Sequence, residues 1–133
     1  MNDPRKTIVK AIRERIPDPI AIYLFGSRVA DAVHESSDFD IAVLPLEPIA
    51  ANDRWDLQQE LAIALHSDVD LVDLRSASTV MRFQVVSTGD LLFESGATKR
   101  AEFEMMTYSM YTRFNLERRH ILGDVQKTGR VYG

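Results

Sequence analysis

Three short apolar runs constrain the fold of this chain more than any other feature. The first covers residues 20–25 between Pro19 and Gly26, and the others cover residues 39–44 and 69–74. Apolar runs of this length, bounded by proline or glycine, are typical of buried strands. The pattern predicts an α/β (α+β) chain with a small mixed sheet of three to four strands flanked by helices.

Amphipathic stretches around these runs predict the helices. Asp3 and Pro4 indicate the start of the first one, because aspartate is a favoured N-cap and proline is favoured at the first helical position. Residues 91–93 predict a short edge strand. Further helices are expected over residues 28–33, 52–65, 78–88 and 99–122.

The length of 133 residues predicts a single domain. Its core is expected over residues 20–94 and its C-terminal helix over residues 99–122, followed by a mobile polar tail over residues 123–133. That helix carries apolar side chains that fit either packing on the domain's own core or a partner-binding surface, and their ordinary helical spacing favours the core. They are Met105, Met106, Tyr108, Met110, Tyr111 and Phe114.

Composition limits the classes of ligand and location. The chain has no cysteine, so any metal must be held by oxygen or imidazole ligands. The net charge is −4 and the 16 basic residues are scattered, which disfavours nucleic acid as a direct partner. No apolar stretch approaches the ~20 residues of a membrane span. We expect no membrane association and a cytoplasmic location.

A Gly-Ser pair follows the first predicted strand directly. At a turn from a strand into a helix, unpaired backbone N–H groups and the positive end of the helix dipole suit a phosphate. Gly26 permits close backbone approach, and Ser27 and Arg28 add hydrogen-bond donors. Taken alone, the pair is equally an ordinary turn with a serine N-cap.

Two aspartates, Asp38 and Asp40, open the second predicted strand. Residues two apart on a strand point to the same face, so both carboxylates lie on one side. Such a pair repels unless a cation or proton separates it, and Mg²⁺ prefers oxygen ligands of this kind. The alternative is that Asp38 caps the preceding turn and Asp40 is solvated. The fixed spacing between this pair and the Gly-Ser turn favours a phosphate-metal site.

The third predicted strand offers another carboxylate, which phosphoryl transfer commonly needs. Asp70 and Asp73 point to opposite faces, so only one can reach the site. We select Asp70, because an aspartate within an apolar strand is costly without a functional or pairing role. Asp73 is then expected to be a solvent-facing or turn residue. Asp68 shares the face of Asp70 but lies at the start of the strand, and it stays open as an alternative, as does Asp73.

These acidic and glycine positions, with the ten-residue spacer between them, resemble the motif of the DNA polymerase β-like nucleotidyltransferase superfamily. The short chain is most similar to the minimal nucleotidyltransferase family, and in particular to MntA-type antitoxins of HEPN/MNT toxin–antitoxin modules. The resemblance extends from about residue 20 to residue 94, and it implies the nucleotidyltransferase fold. The residues that carry it are Gly26, Ser27, Asp38, Asp40 and Asp70.

The resemblance implies an Mg²⁺-dependent enzyme that uses ATP. Ser27 would hold the terminal phosphates, and Asp70 would help to activate an acceptor hydroxyl. The acceptor implied is a tyrosine of a cognate HEPN ribonuclease toxin, which one or more AMP units would silence. The implied catalytic and metal-binding residues are Asp38, Asp40 and Asp70, and the nucleotide-binding residues are Gly26, Ser27, Arg28 and Ser37.

Two other functions keep the same residues but change their use. The acceptor could be the hydroxyl of a small molecule, although the chain shows no second domain to form a substrate pocket. The chain could also neutralise a partner by binding alone, and the intact carboxylates disfavour this.

Overall fold

The structure is a computed structural model that describes residues 3–26 and 39–128. Its helices begin and end close to the predicted positions, and the helix expected over residues 28–33 lies outside the described residues. Asp3 caps the first helix, since its Oδ1 accepts a hydrogen bond from the backbone N–H of Arg5 at 3.0 Å. The elements are α1 (Pro4–Arg15), β1 (Ala21–Phe25), β2 (Phe39–Leu44), α2 (Ala51–Leu65), β3 (Val69–Asp73), α3 (Thr79–Thr88), β4 (Asp90–Glu94) and α4 (Ala97–Thr128).

The four strands form one mixed sheet in the order β3-β2-β1-β4. β1 pairs antiparallel with both β2 and β4, whereas β2 and β3 run parallel. This confirms the predicted mixed sheet and the predicted edge strand, β4. The carboxyl end of β1 and the amino ends of β2, β3 and β4 therefore lie at the same end of the sheet.

Both faces of the sheet are covered, which explains why its strands read as continuous apolar runs. One face packs on α1 and α2 through a cluster that includes Ile12, Ile41 and Leu61. The other face packs on α3 and α4 through a second cluster that includes Leu44 and Phe103. Burial of each such side chain contributes roughly 1.5–3 kcal/mol to folding.

The outer edge of β3 is sealed by side chains of α2 rather than by another strand. Gln58 Oε1 accepts a hydrogen bond from the backbone N–H of Leu71 at 2.9 Å. Arg54 Nη1 donates to the backbone carbonyl of Leu71 at 3.1 Å. The two side chains thus satisfy the backbone groups that an edge strand leaves open.

The C-terminal helix is longer than predicted, and most of the apolar side chains expected on the core are exposed. It ends at Thr128 instead of Leu122, so the first part of the predicted polar tail is helical, and residues 129–133 lie outside the described residues. Its buried side chains are Phe103 and Thr107. The prediction that its apolar side chains pack on the core is wrong for most of them. The exposed ones are Met105, Met106, Tyr108, Met110 and Phe114.

Candidate active site

The turn that follows β1 brings the two halves of the motif together. Gly26 has a φ of +81°, which is a left-handed conformation that favours glycine. A Cβ atom at this position would lie 2.1 Å from Oδ2 of Asp40. The Asp40 carboxylate therefore lies directly against the backbone of Gly26, in space that any other residue at position 26 would fill.

Asp40 and Asp70 occupy paired positions on neighbouring strands. Their Cα atoms are register partners in the parallel β2–β3 ladder, and Asp40 also pairs with Phe25 of β1. Paired residues on strands about 4.8 Å apart point to the same face, here the one covered by α3 and α4. Asp40 is half-buried. Asp70 is exposed, and its carboxylate makes no hydrogen bond or ion pair with any described residue.

Two adjacent carboxylates of this kind suit a hard divalent cation. Their mutual repulsion is relieved when a cation lies between them, and Mg²⁺ binds through one or two carboxylates plus substrate phosphates. The oxygen donors of Asp40 and Asp70, on paired positions of neighbouring strands, fit this requirement. The described residues contain no group of three potential ligands, and the predicted third ligand, Asp38, lies outside them.

Asp73 lies at the other end of β3 and on the other face. Its register partner is Val43, which belongs to the core under α1 and α2. Its carboxylate accepts hydrogen bonds from the backbone N–H groups of Ile49 at 2.8 Å and Arg75 at 2.9 Å, and from the hydroxyl of Ser76 at 3.3 Å. The side chain is buried, so the predicted turn role is correct and the predicted solvent exposure is wrong.

Asp68 stands outside the strand that positions Asp70. Its backbone carbonyl accepts a hydrogen bond from the N–H of Phe39 at 3.1 Å, which fixes the first rung between β2 and β3. Its side chain is exposed. Of the three carboxylates in this part of the chain, Asp70 is the one in register with Asp40. The other predicted site residues, Ser27, Arg28 and Ser37, lie outside the described residues.

A cavity of about 390 Å³ opens beside Asp70, and the sequence did not indicate it. Its polar lining includes Arg54, Ser76 and, at its far end, Asp73, and its apolar lining includes Ile49 and Ala77. These residues come from α2 and from the segments before α2 and after β3. No local motif marks them, because they meet only through the packing of α2 along the β3 edge.

The model of the family described as "Polymerase beta, Nucleotidyltransferase" matches residues 6–97. The match includes Gly26 and Ser27, the strands that carry Asp40 and Asp70, and Asp38. The chain belongs to this nucleotidyltransferase family. The fold expected from the sequence motif is thereby confirmed, and no described helix is long and apolar enough to cross a membrane.

Relatives within the family place the chain more narrowly. It is 49% identical to the protein adenylyltransferase MntA of Shewanella oneidensis over 119 residues, which are 89% of this chain and 84% of that protein. The resemblance to MntA-type proteins is therefore confirmed. Among solved structures, a toxin–antitoxin complex with AMP-PNP matches with a TM-score of 0.81 and 46% identity, covering 92% of this chain and 98% of the other.

A second solved structure contains a modified toxin. It is a tri-AMPylated Shewanella oneidensis HEPN toxin in complex with the MNT antitoxin. The matching chain has a TM-score of 0.76 and 45% identity, and the alignment covers 92% of this chain and 96% of that one.

Proposed function

We propose that this chain is an antitoxin that transfers AMP from ATP to a tyrosine hydroxyl of a cognate HEPN toxin. The observation that carries the proposal is the register of Asp40 with Asp70 beside the Gly26 turn. It is supported by the similarity to MntA and to an antitoxin complex that contains a tri-AMPylated toxin. Because ATP is the donor, we place the reaction in the cytoplasm.

We assign Asp38, Asp40 and Asp70 as the residues that would hold Mg²⁺. The ion would neutralise the triphosphate charge and orient the α-phosphorus for attack. Backbone N–H groups at the Gly26 turn would contact the phosphate oxygens, and Ser27, Arg28 and Ser37 would complete the nucleotide site.

The carboxylate of Asp70 would receive the proton of the acceptor hydroxyl. The acceptor oxygen then forms a bond to the α-phosphorus, the bond from that phosphorus to the β-phosphate oxygen breaks, and pyrophosphate leaves. A phenol, with a pKa of about 10, loses its proton more readily than an aliphatic hydroxyl, which favours tyrosine as acceptor. The cavity beside Asp70 offers space for the aromatic ring next to this carboxylate.

We assign the exposed apolar surface of α4 as a contact surface for the toxin. Met105 is 72% exposed, and Met106 and Leu116 are more than half exposed. Flexible methionine side chains and aromatic rings are enriched at protein interfaces. Exposed apolar side chains on a monomer are also an aggregation liability, so a permanent partner accounts for them.

One experiment tests the proposal. The chain is incubated with Mg²⁺, ATP and the product of the neighbouring reading frame, and the intact mass of that product is measured. We expect a gain of one or more AMP units, which is lost in Asp40→Asn and Asp70→Asn. Asp68→Asn is the matched control, since it removes an exposed carboxylate two residues away, and it should transfer normally.

The two alternative functions give different outcomes. If the mass of the partner does not change but both Asn variants still protect cells from it, the chain acts by binding alone. If the partner is unmodified and a hydroxyl-bearing small molecule consumes ATP instead, the acceptor is a small molecule. Loss of transfer in Asp68→Asn, with normal transfer in Asp70→Asn, would assign the third carboxylate to position 68.

A further inference from the structure

A groove runs between α1 and the outer edge of the sheet at β4. It has a volume of about 590 Å³. Its rim is formed by four cationic side chains from α1, and its floor by aliphatic side chains of α1 and β4. The cations are Arg5, Lys6, Lys10 and Arg13, the floor is Val9, Leu91 and Leu92, and the acidic side chain of Glu14 lies among the cations.

The four cations contrast with the negative charge of the whole chain, which is −4. Two of them have partners: Arg5 forms an ion pair with Asp90 at 2.5 Å, and Arg13 lies over the ring of Phe93 at 4.6 Å. The side chains of Lys6 and Lys10 form no hydrogen bond or ion pair with the part of the chain that the structure describes. These two charges are one helical turn apart and face the groove. Glu14 is its one acidic lining residue, so the four cations leave the groove with a net positive charge.

The floor of the groove is an open strand edge. β4 is the last strand of the sheet, and within the described residues only β1 pairs with it. At the opposite edge, Gln58 and Arg54 bond to the backbone of Leu71 of β3, whereas no described side chain makes an equivalent contact with the backbone of β4. An open edge can accept an extended peptide, whose backbone supplies the missing ladder and whose alternate side chains contact the flanking surface.

The lining favours a protein ligand over a nucleic acid. Single-stranded nucleic acids bind by stacking their bases on aromatic side chains along a basic path. The floor here is aliphatic, and the nearest ring, that of Phe93, is covered by Arg13. A peptide in which aliphatic side chains alternate with carboxylates would match both the aliphatic floor and the cationic rim.

We propose that the groove between α1 and β4 binds an acidic, extended segment of a partner protein, with its carboxylates facing Lys6 and Lys10. The register partner of Asp90 is Leu24, close to the Gly26 turn. One end of the groove therefore lies at the same end of the sheet as the paired aspartates. The proposal does not depend on AMP transfer, because the groove contains none of the assigned catalytic residues.

Binding is tested on the full chain with a defined probe. The probe is a fluorescein-labelled peptide of alternating glutamate and valine, seven residues long, and its control is the same peptide with lysine in place of glutamate. At low ionic strength we expect the acidic peptide to bind and to shift the backbone amide resonances of Leu91, Leu92 and Phe93. The double variant Lys6→Glu/Lys10→Glu should weaken this binding about 10-fold and should gain affinity for the lysine peptide.

A matched control carries the same change in net charge elsewhere. Lys99→Glu/Arg113→Glu alters two exposed positions on α4 and should bind the acidic peptide like the wild type. Far-ultraviolet circular dichroism checks that each variant is folded. The proposal is overturned if the wild type does not bind the acidic peptide, or if the shifted resonances lie away from β4. It is also overturned if an octaadenylate binds the groove more tightly than the peptide, since the ligand would then be a nucleic acid.

Discussion

The two ends of the sheet use the same residue type for different purposes. At one end, Asp70 is exposed and has no partner among the described residues, next to Asp40 and Gly26. At the other end, Asp73 is buried and accepts three hydrogen bonds. A carboxylate whose acceptor sites are occupied by N–H and O–H donors stabilises the fold, whereas one left open to solvent is available for a cation or a proton.

The end of the sheet that carries Asp70 is called the open end here, and the end that carries Asp73 the occupied end. The largest effect that tests this contrast is expected at the open end. Asp70→Asn keeps the shape of the side chain but removes its charge and its basicity. We expect the rate of AMP transfer to fall on the order of 10²–10⁴-fold, the usual contribution of a positioned general base. Because the side chain is exposed, the free energy of unfolding should change by less than about 0.5 kcal/mol. Transfer assays and urea denaturation measure the two quantities, and a large loss of stability would contradict the contrast.

Gly26→Ala should have the next largest effect, because it acts on the same end through the backbone. The new Cβ would lie 2.1 Å from Oδ2 of Asp40 and would require a left-handed φ. Displacing a catalytic carboxylate by about 1 Å costs roughly 100-fold in rate. Backbone strain adds about 1–2 kcal/mol of destabilisation.

Gly96→Ala is the matched control for that change. A Cβ at this position meets its nearest atom at 3.8 Å, which is an ordinary van der Waals contact. Transfer and stability should both stay close to those of the wild type. Equal loss of transfer in the two alanine variants would show that the close approach of Gly26 to Asp40 is not important.

At the occupied end, Asp73→Asn should lower the stability of the fold and leave the rate of AMP transfer unchanged. The amide keeps one acceptor oxygen but replaces the other with a donor, which faces either the N–H of Arg75 at Oδ1 or the donors of Ile49 and Ser76 at Oδ2. A buried donor without an acceptor costs about 1–3 kcal/mol. Thermal unfolding should show a lower midpoint, while the transfer rate per folded molecule stays unchanged at a temperature below it. A loss of transfer without a loss of stability would assign Asp73 to the active site.

The open end could be predicted from the sequence more fully than the occupied one. The apolar runs and the two-residue period are local features, and they predict Asp38 and Asp40 on one face and Asp70 and Asp73 on opposite faces. Asp70 is selected for the cost of an aspartate within an apolar strand, whereas its side chain is exposed and its register with Asp40 comes from the pairing of β2 with β3. The burial of Asp73 could not be predicted in this way, because one of its donors is the backbone of Ile49, 24 residues away along the chain.

The C-terminal helix shows a second limit of sequence patterns. An apolar stripe has the same spacing whether it packs on its own domain or on another protein, so Met106 and Met110 looked like core residues. Only the position of the helix on the sheet shows that Phe103 and Thr107 face inward. The basic groove was missed for a similar reason, since its four cations belong to one helix face that becomes a groove only beside β4.

The smallest expected effect concerns Tyr23, whose hydroxyl donates a hydrogen bond to Glu104 at 2.7 Å beneath α4. Burial, and then the interaction with Glu104, raise the pKa of the Tyr23 hydroxyl above its ordinary value of 10.0. The folded chain therefore holds this proton more tightly than the unfolded chain does. The resulting stabilisation is complete below about pH 10 and is lost as the pH rises through the raised pKa.

Tyr23→Phe removes this titrating group and one hydrogen bond. Near neutral pH the variant should lose only about 1 kcal/mol, because Glu104 keeps its ion pair with Arg100. Above pH 10 the wild type should lose stability faster than the variant, so the difference between their free energies of unfolding should shrink. Urea denaturation from pH 7 to 11 measures this difference, with Tyr108→Phe at an exposed position as the control. A difference that stays constant with pH would show that the proton on Tyr23 is not linked to folding.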